Sequence, residues 1–116
     1  MSSVLVLGID PHLVPGIDAD ALRAALDGEL ARFGALGVDA SMALIPFDES
    51  AVPTMVAALS GRPWDVVVVG GGLRKPEALL ALFEQSVNLI RQHAPQAAIA
   101  FNTSGGDSVE AAQRWL

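Results

Sequence analysis

Apolar residues along this chain fall into short unbroken runs separated by stretches in which they recur at helical spacing. Val4-Leu5-Val6-Leu7, Ala43-Leu44-Ile45, Val66-Val67-Val68-Val69 and Ala97-Ala98-Ile99-Ala100-Phe101 show no in-out alternation, the mark of parallel strands covered on both faces. The run of valines is the clearest strand, because β-branched side chains suit a buried sheet; Asp65 leads into it and Gly70 ends it. Leu22, Leu26, Leu30 and Phe33 share one helical face, with Asp18 or Asp20 as N-cap and Gly34 or Gly37 as exit. Ser50 caps a second helix carrying Val52, Val56 and Leu59, in which Pro53 fits the first turn and Gly61-Arg62-Pro63 is the stop. Pro76 opens the longest helix, which runs to His93 with Leu79, Leu80, Leu82, Phe83, Val87, Leu89 and Ile90 on a broad apolar face. Asp107 stands three residues before Glu110, the spacing of a capping box, ahead of a last helix with Val109, Ala112 and Trp115 near one face. Trp64 and Trp115 are assigned to packing at helix ends.

Strands alternating with helices, joined by right-handed crossovers, predict an α/β three-layer sandwich whose parallel sheet has four strands in the order 2-1-3-4. The 116 residues suffice for one such domain, spanning residues 1–116. Strand four is then an edge whose unpaired backbone groups need a cover, and a homodimer is the expected one.

Composition narrows the chemistry. Hydrophobic residues make up 52% of the chain and aromatic residues only 5%, so small aliphatic side chains fill the interior. With 13 acidic against 7 basic residues the formal charge is −6, which argues against nucleic acid as partner, since that binding rests on clustered cations. The absence of cysteine removes disulfides, thiolate catalysis and Cys-type zinc sites, and fits a reducing cytoplasm. No apolar run approaches the roughly 20 residues of a membrane span, and no basic region precedes the first strand. The expectation is a cytoplasmic protein without a membrane partner.

Each strand breaks off into small and polar residues, and in a parallel sheet these clusters emerge along one edge, where open α/β folds bind ligands. After strand three come Gly70, Gly71 and Gly72, then Arg74 and Lys75. Glycines that adopt positive φ would present amides to an anion, and the two cations would close over it. The pattern is neither a Walker loop nor the dinucleotide fingerprint, in which Lys75 would have to be glycine. Asp10 and His12, after strand one, are candidates for an acid and base pair in a loop that Pro11, Pro15 and Gly16 keep irregular. Asp48 and Glu49 after strand two are helix-capping acids, and with Asp10 the alternative is a divalent cation site; capping suffices, and no metal is assigned. Asn102, Thr103 and Ser104 leave strand four with amide and hydroxyl groups suited to orienting a ligand. Ser104 lacks a nucleophile elbow, because Asn102 stands where its first glycine belongs. His93 lies in a last helical turn, where a cation suits the dipole.

The layout from Val4 to Trp115 resembles the receiver and flavodoxin-like group, a Rossmann-like architecture. Asp65-Val66-Val67-Val68-Val69 is similar to a receiver's third strand, and Ile99-Ala100-Phe101-Asn102-Thr103-Ser104 to its fourth strand with the terminal Thr or Ser. Gly70 stands where that family has its phosphoacceptor aspartate, and the fifth strand with its lysine is missing, so the resemblance implies the fold and not phosphotransfer. Ile9-Asp10-Pro11-His12 together with Phe101-Asn102-Thr103-Ser104 resembles a set of short bacterial α/β proteins of no assigned activity. The functional expectation is a domain that binds a small anionic ligand, a nucleotide or phosphorylated metabolite, at the carboxyl edge, with no particular cofactor implied. The alternatives are a receiver-like interaction module that dimerises or docks through its apolar surface, and a small hydrolase or transferase using Asp10 and His12.

Overall fold

The computed structural model describes residues 2–13, 16, 18–104 and 106–116. Strands β1 (Ser3–Ile9), β2 (Asp39–Ile45), β3 (Val66–Val69) and β4 (Ala98–Phe101) form one parallel sheet in the order β2-β1-β3-β4. Helices α1 (Ala19–Ala35), α2 (Ala51–Ser60), α3 (Gly71–Arg74) and α4 (Leu80–His93) provide the crossovers, and α5 (Ser108–Gln113) follows β4. This is the expected α/β sandwich, with the strand order of flavodoxin-like folds. Among the described residues no helix is long and apolar enough to cross a membrane.

Strand register sorts the core into two layers. Leu5, Leu7, Ile9, Val67 and Val69 face α2 and α4, where Met55, Leu59, Leu82 and Ile90 meet them. Val4, Val6, Val66, Val68 and Ala100 face the other way, against Phe33 of α1 and Val109 and Ala112 of α5. Burial on both faces explains the unbroken apolar runs of β1 and β3, while β2 and β4 at the sheet edges are mostly half-buried. β2 is longer than Ala43-Leu44-Ile45, because pairing begins at Ser3 opposite Asp39 and continues to Ile9 opposite Ile45; Arg62 holds Asp39 from outside at 2.7 Å. β4 is an edge, as expected, and Arg114 of the C-terminal segment donates to the Phe101 carbonyl at 2.9 Å.

Several helix ends depart from the sequence expectations. Asp18 caps α1 through the amides of Asp20 and Ala21, and Gly37, at φ +74°, makes the exit. The first loop contains a 3-10 turn, Pro11–Leu13, where an irregular path was expected; Val14 and Pro15 lie outside the described residues. Ser50 occupies the N-cap position of α2, but its hydroxyl donates to Asp48 instead of capping. The helix expected from Pro76 is preceded by a 3-10 turn, Glu77–Leu79, and α4 proper starts at Leu80, which stays 61% exposed. Trp64 packs as expected, its indole donating to Ala58 O at 2.9 Å. Trp115 does not: α5 ends at Gln113, and the indole beyond it is 60% exposed.

The capping box on α5 is also absent. Asp107 turns its carboxylate back onto the preceding loop, and the first turn of α5 is capped from another helix instead. Glu29 of α1, almost fully buried, accepts from the Val109 amide at 3.2 Å and from Arg32 at 2.7 Å. Arg32 reaches on to Glu110 at 2.5 Å. Hydrogen bonds to Glu110 and then Glu29 push the Arg32 guanidinium further above its usual range, and the bond from Arg32 lowers the Glu110 carboxyl. A buried carboxylate on a helix N-terminus supplies both hydrogen bonding and a favourable interaction with the helix dipole.

The α4 assignment is testable by urea denaturation. Ile90→Ala, at a fully buried position, lowers the unfolding free energy by ~2–5 kcal/mol, whereas Leu80→Ser changes it by no more than ~0.5 kcal/mol. Equal losses would contradict the orientation of the helix.

Candidate functional site

The four strand exits meet at the carboxyl edge, and the exit of β3 is the most tightly packed. Gly70 donates to Leu7 O at 2.8 Å while a Cβ on Gly70 would stand 3.0 Å from that oxygen. A Cβ on Gly72 would come within 2.8 Å of Ile9 Cγ2, and one on Gly71 within 3.2 Å of Lys75 Cε. The glycines are needed for close approach, not for positive φ: Gly70 is extended, Gly71 and Gly72 are helical, and the positive-φ glycines among the described residues are Gly16 and Gly37. The expectation of an open glycine turn is corrected by a short helix seated directly on the end of β1.

Asn102 joins this helix to the next strand exit. Its buried side chain accepts from the Gly71 amide at 2.8 Å and donates to the buried Ser108 hydroxyl at 2.9 Å. The amide expected to face an anion is therefore occupied. The Arg74 guanidinium donates to the Asn102 carbonyl and lies over the Phe101 ring, 5.7 Å from its centroid, while Lys75 donates to the Thr103 carbonyl. Arg74 Nε is buried with no partner among the described residues.

The residues after β4 are bound to one another in the same way. Asp107 accepts from the Thr103 amide at 3.0 Å, the Thr103 hydroxyl at 2.5 Å and the Ser104 amide at 3.0 Å. Partial burial opposes its ionised form, but these hydrogen bonds and Arg114 hold the Asp107 carboxyl below the usual carboxylate range. Ser104 Oγ accepts from the Gly106 amide at 3.2 Å. Arg74, Lys75, Asn102 and Thr103 thus form one joint between the β3 and β4 exits.

Asp10 and His12 do not meet as an acid and base. Asp10 Oδ1 accepts from the His12 backbone amide at 3.0 Å, fixing the 3-10 turn, and the imidazole is exposed. Asp48 binds the Ser50 hydroxyl and amide, at 2.5 and 2.8 Å, and these bonds lower its pKa. Among the described residues no three His, Asp or Glu side chains gather closely enough to hold a metal ion.

Two kinds of space flank the exits. On the α1 side, Leu22, Leu26 and Met42 close a cavity of about 60 Å³ against the glycines, room for solvent and not for a metabolite. On the α4 side, Ile9, Leu13, Phe47, Pro76, Ala78 and Leu79 line an apolar cleft of about 340 Å³. Phe47 and Ala78 also line a second cleft of about 310 Å³, which continues past Asp48, Glu49, Ala81 and Gln85. Together they form a groove between the β2–α2 loop and the first turns of α4. The sequence reading missed this groove because it singled out polar clusters; the signal was the apolar Leu13, Phe47 and Pro76 within them.

No protein-family model and no curated protein matches the chain.

Two measurements check the joint. Gly72→Ala destabilises the protein because Ile9 Cγ2 occupies the added methyl's position, whereas Gly28→Ala, an open position within α1, stabilises it by ~0.5–1 kcal/mol; opposite signs in thermal unfolding are expected, and a tolerated Gly72→Ala would refute the close approach. For Asp107, a lowered folded-state pKa contributes stability above the unfolded carboxyl pKa of about 3.9, lost as pH falls through the folded value. Asp107→Asn therefore lowers Tm at neutral pH, and the gap to wild type closes as the pH falls through the lowered folded-state value. A gap independent of pH would contradict the ionised hub.

Proposed function

We propose that this chain is a cytoplasmic binding domain whose site is the apolar groove on the α4 side of the carboxyl edge. The observation that carries the reading is the 340 Å³ cleft walled by Ile9, Leu13, Phe47 and Pro76, beside the β1 and β3 exits where the strand order reverses. Ligands of open α/β sheets settle at that reversal, and the volume is that of a small-molecule or side-chain pocket. Leu13 and Phe47 remain 48% and 54% exposed, and burying such surface contributes roughly 25 cal/mol per Å².

An anionic ligand at the glycines is a second reading, favoured by the unpartnered Arg74 Nε. It requires Arg74 and Lys75 to leave the carbonyls of Asn102 and Thr103, and the Gly71 amide to leave Asn102. Chemistry by Asp10 and His12 has less support, since Asp10 is engaged with the backbone of the turn.

The neutral fluorophore Nile red separates these readings. It is expected to brighten with the wild-type protein and to lose that signal in Phe47→Asp, at a position 54% exposed, with the far-UV circular dichroism unchanged. Thermal stabilisation by nucleotides or phosphorylated sugars that disappears in Arg74→Ala, with no Nile red signal, would overturn the groove in favour of the anion site.

A further inference from the structure

We infer that the groove receives a basic amphipathic segment of a partner protein, with apolar side chains in the two clefts on either side of Phe47 and cationic side chains at Asp48 and Glu49. The inference rests on the groove being the binding site and goes beyond it by naming the occupant. Its first support is continuity: the clefts share Phe47 and Ala78, so the site is an open trough with two adjoining apolar stations. A segment laid along a helix face, with anchors in successive pockets, fits such a trough.

The floor is suited to entry of side chains. Ala78 of the 3-10 turn and Ala81, Leu82 and Gln85 at the start of α4 line the second cleft, and the alanines leave depth that larger residues would fill. Phe47 rises between the stations, half exposed.

Charge selects the sign of the partner. Asp48 and Glu49 line the second cleft, and among the described residues no Lys, Arg or His lines either one. The cations nearest in sequence, Arg74 and Lys75, are turned onto the β4 exit. The chain as a whole carries −6, so a basic segment is attracted at distance and an acidic one repelled. Hydrogen bonds from Ser50 hold Asp48 in its ionised form.

The probe is a fluorescent Leu/Lys amphipathic peptide read by anisotropy at physiological salt, with a Leu/Glu peptide of the same pattern as control. Saturable binding of the Leu/Lys peptide is expected, weakened roughly tenfold by Asp48→Asn with Glu49→Gln and abolished by Phe47→Asp. Asp20→Asn with Asp27→Asn removes the same charge from α1, on the opposite face of the sheet, and should leave binding within about twofold. Equal losses from the two acidic pairs, or equal binding of the Leu/Glu peptide, would overturn the inference as nonspecific attraction. Nile red binding without peptide binding would remove the partner class and leave the groove; loss of both would remove the groove as well. Self-association abolished by Phe47→Asp, with no peptide binding, would assign the groove to a second copy of this chain and overturn the inference.

Discussion

The end of β1 and the start of α3 approach each other more closely than side chains would allow, and the carboxyl edge is built around that contact. Gly70 and Gly72 carry no Cβ where Leu7 O and Ile9 Cγ2 already stand. The short helix can therefore sit on the strand exit, and its first amide falls within reach of Asn102. Asn102 in turn engages Ser108 at the start of α5, so the β3 exit, the β4 exit and the last helix are tied by one buried amide side chain. Buried polar groups persist when each donor and acceptor is matched, and Asn102 is matched on both sides.

This packing decides where charge lies. With Gly70 and Gly72 packed against the end of β1, Arg74 and Lys75 emerge toward β4 and satisfy the carbonyls of Asn102 and Thr103. Asp107 collects the amides and hydroxyl of the same loop. The charges that made this edge resemble an anion site are spent on holding it together, while the α4 side keeps an apolar groove with an acidic rim. A fold of ordinary α/β type thus places its open surface on one side of the switch point and its polar joint on the other.

The sheet was legible because its signals are local and repeated. Valines 66–69 and the run 4–7 can be buried on both faces only in a covered parallel sheet, and alternation with helices then leaves few topologies. What escaped depends on partners far away in sequence. Asp107 and Glu110 have capping-box spacing, yet the carboxylate that caps α5 is Glu29, and Glu110 is drawn instead to Arg32. Gly71 and Gly72 in a helix contradict propensity and make sense only once Lys75 and Ile9 are seen beside them. Asp10 and His12 are neighbours in sequence but interact through the backbone, a distinction that spacing does not carry. The groove escaped for a related reason: its walls come from three separate loops and contain few of the residue types that announce chemistry.

Hydrogen exchange at the Gly71 amide tests the central claim most directly, because a packed joint and an open phosphate cradle differ at that proton. If the amide is held by Asn102 inside the fold, it exchanges as slowly as the amides of β3, and Asn102→Ala accelerates it. Exchange near the rate of an exposed loop amide in the wild-type protein would contradict the joint, and with it the assignment of the binding surface to the groove.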